Sequence, residues 1–108
     1  ERGRQWERSL ALLAEMRRHA LRVDVVSYSA AITSCEKCEQ WEQALDILVK
    51  MEDHDCSPDV IIYNAAISAC AMGCQWRHSL GMLAEMRDHD LTPNVISYNA
   101  AISACEKC

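Results

Sequence analysis

The chain repeats itself every 35 residues, and this period constrains its fold more than any other feature. The segment 60–73 reads VIIYNAAISACAMG, and closely similar segments stand at 25–38 and 95–108. Tryptophan, tyrosine, methionine and histidine recur in register, at Trp6, Trp41 and Trp76; Tyr28, Tyr63 and Tyr98; Met16, Met51 and Met86; His19, His54 and His89. A strict period of this length is the signature of a solenoid, in which similar units stack on one another.

Each unit contains two helical patterns. In the second copy, alanines and other apolar residues recur at helical spacing through 61–70, and a second apolar stripe runs from about Gln40 to Asp53 in the copy before it. The period divides a single domain, 1–108, into a partial unit 1–24, full units 25–59 and 60–94, and a partial unit 95–108. The sequence therefore predicts an all-α fold: an α-solenoid of stacked antiparallel helix pairs with six helices, two full repeats and two half repeats. Its end units would continue into further repeats or dock on a partner, because no unit can bury its apolar face alone.

Asp24, Asp59 and Asn94 stand just before each predicted first helix, where an acid or amide suits a helix N-cap. We expect Pro58 and Pro93, one residue earlier, to end the preceding helix.

The seven cysteines do not indicate a disulfide framework. Cys35, Cys70 and Cys105 occupy equivalent places in successive units, and packed helices lie about 8 to 10 Å apart, beyond the roughly 7 Å that a disulfide spans. We expect buried thiols instead. The Cys-x-x-Cys pairs at 35–38 and 105–108 lie two units apart, too far to share one zinc ion. The sequence predicts no metal site, no cofactor and no catalytic residues, and no apolar run is long enough to span a membrane.

Several motifs in register carry a family resemblance over the whole chain. The units that begin at residues 25, 60 and 95 open with Val-x-x-Tyr followed by Asn or Ser. Unit 25–59 continues with Ala44-Leu45 in its second helix and closes near Ser57-Pro58-Asp59. This pattern resembles the pentatricopeptide repeat in its pure 35-residue form, and the Ala- and Cys-rich composition is similar to the expanded sets of such proteins in some algae. The resemblance implies a right-handed superhelix whose first helices line a concave face and bind single-stranded RNA, one base per repeat.

In the family, the residue after the tyrosine and the last residue of the unit read the base. Carried over, the resemblance assigns Ser29 with Asp59 to guanine, and Asn64 with Asn94 to cytosine or uracil. Asn99 would favour a pyrimidine, and Asp24 would belong to the preceding unit. In the family, apolar residues just before the first helix of each unit clamp the base, and here these are Val26, Ile61 and Ile96. The pattern alone favours a different interpretation, in which Asp59 and Asn94 are N-caps and Asn64 and Asn99 are exposed helix residues.

The family's phosphate-contacting lysine is matched by Lys37 and Lys107 and, conservatively, by Arg2, whereas Met72 departs from it. Solvated surface lysines are the alternative. The net charge of −5 opposes nucleic-acid binding, although most of the acid in unit 25–59 falls on its second helix.

We therefore expect a non-catalytic protein that selectively binds single-stranded RNA and acts on organellar transcripts, in a chloroplast or mitochondrion. The alternative is a structural scaffold that binds protein subunits of an organellar complex such as a ribosome or photosystem.

Overall fold

The computed structural model describes residues 5–19, 21, 23–53 and 56–107, with Lys107 described for its backbone alone. These residues form six α-helices. In chain order they are α1 (Gln5–Arg18), α2 (Val25–Lys37), α3 (Trp41–Asp53), α4 (Val60–Met72), α5 (Trp76–Asp88) and α6 (Val95–Lys107). The chain is thus an all-α helical repeat, in which α2, α4 and α6 are first helices and α1, α3 and α5 are second helices.

The first helices begin at side-chain caps. A carboxylate oxygen of Asp59 accepts a hydrogen bond from the backbone N–H of Ile62 at 2.9 Å. Asp24 and Asn94 make the equivalent bond in their units, each at 3.1 Å. Each cap satisfies one of the N–H groups that a helix start leaves without an intrahelical partner.

Short left-handed turns close helices of both kinds. Glu39, Cys74 and Asp90 have φ between 57° and 60°, a conformation that most residues other than glycine avoid. After α2, the N–H of Gln40 reaches back to the carbonyl of Cys35 at 2.8 Å, the bond typical of a Schellman ending. Such turns reverse the chain in few residues, so consecutive helices pack side by side and antiparallel.

The two prolines do not end the second helices, contrary to the sequence-based expectation. Helix α3 ends at Asp53 and α5 at Asp88, each five residues before its proline. At α5 the left-handed turn at Asp90 has already ended the helix. Pro58 and Pro93 lie in the extended segments that lead into α4 and α6.

The first helices pack against one another. The backbone of α4 lies close to those of α2 and α6, whereas the backbones of the described second helices lie close to first helices and not to one another. Buried alanines at Ala31, Ala66 and Ala101 present little side-chain volume at these contacts. Because the first helices lie close and the second helices splay apart, the first helices form the inner face of the solenoid.

The core lies between the two layers of helices. Tyr28, Ile47, Met51, Ile62 and Tyr63 are all at most 1 % exposed. Helix α4 contacts α2, α3, α5 and α6, and nine of its thirteen residues are buried. This is the burial that an apolar helix inside a stack requires.

Helix α6 is covered differently from the equivalent helices. Ile32 and Ile67 are completely buried, but Ile102, at the same place in the period, is 64 % exposed. Tyr98 is 42 % exposed and Cys105 is exposed, because no second helix follows α6 among the described residues.

The cysteine prediction is therefore correct for two positions and wrong for one. Cys35 and Cys70 are buried thiols, and burial raises the pKa of each to about 11, so both are neutral at physiological pH. Cys105 is exposed for the reason just given, and Cys108 lies outside the described residues.

The tryptophans pack at the ends of the helix pairs. The indole of Trp41 lies so close to Gly73 that a Cβ added there would fall 2.9 Å from its Nε1. Its ring also packs against His78, with centroids 5.2 Å apart. Trp76 is less covered, at 39 % exposure. No described helix is both long and apolar enough to cross a bilayer.

Candidate nucleic-acid interface

An open groove lies on the inner face where α2, α4 and α6 meet. It has a volume of about 250 Å³. Its lining comes from all three first helices: Thr33, Glu36, Ile61, Asn64, Ala65, Ser68 and Ile96. The groove therefore brings together two of the predicted clamping residues and one predicted base-reading residue.

The clamping residues share one local position. Val26, Ile61 and Ile96 are each the second residue of a first helix, so the expectation that they precede the helix is corrected: they lie within its first turn. They are 74 %, 67 % and 61 % exposed, respectively, although they are large and apolar. Their shared register places an exposed aliphatic side chain at the start of every first helix, with Asn64 between two of them in the groove.

Asn64 is held by a hydrogen-bond network that crosses between units. Its side chain is 8 % exposed, and its Nδ2 donates to Asn94 Oδ1 at 3.2 Å. Its Oδ1 accepts from the hydroxyl of Ser97, a residue of the next unit that is completely buried. The two predicted base-reading residues of unit 60–94 are thus joined directly.

The other predicted pair is not joined in this way. Ser29 is half-buried, and its hydroxyl has no hydrogen-bond partner among the described residues. Asp59 is half-buried and uses one carboxylate oxygen, Oδ1, to cap α4. A carboxylate accepts at two oxygens, so capping leaves Oδ2 of Asp59 available to a ligand.

Asn99 and Asp24 have no reading partner within the described chain. Both are exposed. Asp24 accepts hydrogen bonds from the backbone and hydroxyl of Ser27, and the backbone bond is the main reason that its pKa is lowered. The capping role that the sequence left open therefore holds for Asp24, Asp59 and Asn94.

The predicted phosphate contacts are described only in part. Lys37 is exposed and is the last residue of α2. Lys107 is the last residue of α6, and its side chain is not described, while Arg2 lies outside the described residues. Met72, at the equivalent end of α4, is 45 % exposed and supplies no charge.

An acidic residue, Glu36, also lines the groove. Burial raises the pKa of its carboxyl above the ordinary range, and neighbouring Lys37 only partly opposes this. When ionised, this carboxylate repels a phosphate backbone in the same groove. The family resemblance assigns a role to Lys37 and none to the glutamate before it.

A second polar cluster lies on the second helices. Ligand atoms of Glu52, Glu85 and His89 lie within 4.8 Å of one another, close enough to hold a cation, and His89 pairs with Glu52 at 3.2 Å. Tyr63 donates to Glu85 at 3.0 Å; burial, and then these carboxylates, raise the pKa of its phenol. Within the described part of the chain, it is the one cluster of this kind.

The tyrosines show how the units differ. Tyr28 and Tyr98 accept hydrogen bonds from Arg17 and Arg87, whereas Tyr63 donates to a glutamate. Residue 52 is glutamate, whereas the residues at the equivalent places in the period, 17 and 87, are arginine. Successive units therefore place opposite charges at the position equivalent to residue 52.

Sequence reasoning missed Ser97, Thr33, Glu36 and Ser68 as residues of this face. Ser97 could have been noticed because its position in the period varies, with Ser27 and Ile62 at the equivalent places. Comparison with protein families gives two matches. Residues 11–72 match the pentatricopeptide repeat domain, and residues 58–107 match the PPR repeat family. No curated protein matches the chain significantly.

Proposed function

Because the chain belongs to the pentatricopeptide repeat family, whose repeats are generally associated with RNA binding, we propose that it binds single-stranded RNA along the inner face formed by α2, α4 and α6. Binding is selective for sequence and involves no catalysis. The RNA runs 5′ to 3′ along the chain as guanine, then cytosine or uracil, then a pyrimidine.

The groove around Asn64 is the observation that supports this proposal most strongly. Two exposed isoleucines, Ile61 and Ile96, flank a polar amide at its base. A nucleobase needs apolar contact on its two flat faces and a hydrogen-bonding group at its edge. Exposed aliphatic side chains cost free energy in water, and covering them with a base recovers part of that cost.

The polar groups match the expected bases. In unit 60–94, Asn94 retains both Nδ2 hydrogens and Asn64 retains one, so the pair offers mainly donors. The Watson–Crick edge of cytosine carries two acceptors, N3 and O2. In unit 25–59, the carboxylate of Asp59 offers an acceptor to the N–H groups on the edge of guanine.

The charge distribution is compatible with weak binding by two full units. The acidic residues Glu42, Asp46, Glu52 and Asp53 lie exposed on α3, on the layer opposite the groove. Lys37 is exposed at the end of α2, next in sequence to Glu36 of the groove. We further propose that the RNA is an organellar transcript and that the protein acts in a chloroplast or mitochondrion; this part rests on the family resemblance alone.

The test is fluorescence anisotropy with short single-stranded RNAs that differ only in the order of the two central bases. We expect tighter binding to guanine–cytosine than to cytosine–guanine, weakened by salt, and Ser29→Asn should shift the preference at the first base. Ser57→Asn makes the same change at an exposed site before α4 and should alter nothing. Equal binding to both RNAs would refute base reading by these units.

A second candidate function is protein binding. The acidic surface of α3, formed by Glu42, Asp46, Glu52 and Asp53, favours a scaffold that contacts protein subunits of an organellar complex. Absence of RNA binding at low salt, together with an intact helical spectrum, would make this the better account.

A further inference from the structure

Ser97 belongs to the unit that follows the one containing Asn64. It lies in the first turn of α6, it is completely buried, and its hydroxyl contacts Asn64 on α4. The contact joins residues 33 positions apart, so it exists only when the two units are stacked. A buried hydroxyl that bonds to a base-reading amide can control how that amide is oriented.

The cap of α6 fixes the first amide in the network. Asn94 Oδ1 accepts from the backbone N–H of Ser97 at 3.1 Å, and only an oxygen can accept there. This bond assigns oxygen and nitrogen in the Asn94 side chain, which distances alone do not distinguish. Asn94 Oδ1 therefore faces Asn64.

The second amide is fixed by the first. The Asn64 atom that lies 3.2 Å from Asn94 Oδ1 must be the donor Nδ2, so Oδ1 of Asn64 is the atom facing Ser97. The Ser97 hydroxyl is also 3.1 Å from Asn94 Oδ1, but it has one hydrogen, and both lone pairs of that oxygen are already accepting. Its hydrogen therefore goes to Asn64, while its own oxygen accepts from the N–H of Asn94 at 3.1 Å.

We propose that Ser97 is a positioning residue for base recognition in unit 60–94, because its hydroxyl binds the oxygen of the Asn64 amide while Asn94 Oδ1 binds the nitrogen, and the two bonds together hold the amide in one orientation. This inference rests on the proposed function. One lone pair of Asn64 Oδ1 is occupied, so the pair presents three N–H donors and one remaining acceptor site to the base. That balance favours cytosine and disfavours guanine, whose edge carries two donor groups.

The preceding unit lacks this device. The residue equivalent to Ser97 there is Ile62, which has no hydroxyl, and Ser29 is not tied to Asp59. Base selectivity in the two units therefore depends on different sets of residues. A rule that names two residues per unit leaves out Ser97 for unit 60–94.

The test measures binding of the 108-residue chain to two single-stranded RNAs that differ only in cytosine or guanine at the second base. Ser97→Ala should lower the cytosine-to-guanine preference roughly five- to tenfold, the effect of about one hydrogen bond. Ser97→Thr keeps the hydroxyl and should retain the preference. Ser27→Ala removes the equivalent hydroxyl of α2 and should leave this preference unchanged.

A readout without RNA separates the two proposals. The side-chain amide signals of Asn64 in ¹H–¹⁵N spectra should shift in Ser97→Ala and stay in place in Ser97→Thr. A wild-type preference that survives in Ser97→Ala would overturn the role of Ser97 while leaving the proposed function intact. A wild-type chain with no preference would overturn both, even with the network present. If Ser97→Ala unfolds, Ser97→Cys, a much weaker donor of similar size, should give the same loss of preference.

Discussion

Replacing the equivalent isoleucines of two successive units should have very different effects on the free energy of unfolding. Ile67 in α4 is completely buried, whereas Ile102 in α6 is 64 % exposed, although the surrounding sequence is nearly the same. Ile67→Ala removes buried carbons and leaves a cavity between two layers of helices, which costs about 2 to 5 kcal/mol. Ile102→Ala removes mainly exposed surface and gains helix propensity, so the change should stay within about 0.5 kcal/mol.

Urea unfolding followed by circular dichroism at 222 nm measures the difference. With a urea dependence of about 2 kcal/mol per molar, typical of small proteins, a loss of 3 kcal/mol lowers the midpoint by about 1.5 M. Ile32→Ala, at the third equivalent and completely buried position, should resemble Ile67→Ala. Equal midpoint shifts for Ile67→Ala and Ile102→Ala would refute the stacking order, because they would mean that α4 is no better covered than α6.

Three further predictions concern individual side chains. Gly73→Ala should destabilise the fold by about 1 to 3 kcal/mol, because the indole ring packed on that glycine must move. Gly81→Ala, inside α5 with open space around it, should stabilise the fold by about 0.5 to 1 kcal/mol. The two variants should therefore shift the urea midpoint in opposite directions. Glu52→Arg should raise the urea midpoint by the equivalent of about 1 kcal/mol, because it gives Tyr63 the arginine donor that the other two tyrosines have. An unchanged or lower midpoint would mean that the charge beside this tyrosine does not affect stability in this way. RNA binding should tighten as pH falls through the raised pKa of Glu36, because the neutral acid no longer repels phosphate. Glu36→Gln should flatten this part of the pH profile of binding. An equally steep profile in the variant would rule out Glu36 as the source of the pH dependence.

The same raised pKa has a consequence for folding. The folded state holds the proton of Glu36 to higher pH than the unfolded state does, so between the two pKa values the folded state binds more protons. Stability from this group is therefore full below the unfolded pKa and is lost as pH rises through the folded one.

The helices and their starts could be predicted from the sequence because they depend on local information. The 35-residue period gives the number of helices, and an acid or amide before each first helix gives its cap, as Asp24 and Asp59 show. The helix ends were less predictable. Pro58 and Pro93 are strong breakers, but a left-handed turn at Asp90 had already ended α5 before Pro93. A non-glycine residue such as Asp90 gives little sign of φ near 60°.

The candidate site could be predicted only at the level of the period. Equivalent positions suggested equivalent surroundings, which holds for the exposed first-turn residues Ile61 and Ile96. It fails for Asn64 and Ser29. Asn64 bonds to Ser97 of the next unit, whereas the residue equivalent to Ser97 in the unit after Ser29 is Ile62, which has no hydroxyl. A side chain's neighbours in a stack depend on two units, so the sequence of one unit does not determine them.

Observing the side chains of the inner face while RNA is added tests the central claim most directly. Methyl and side-chain amide NMR signals would be followed during titration with a single-stranded RNA that contains guanine–cytosine. We predict shifts at Ile61, Ile96 and Asn64, while Val49, an exposed aliphatic residue of α3, stays unchanged. Shifts confined to α3 and α5, or equal shifts on both layers, would contradict base recognition by the first helices.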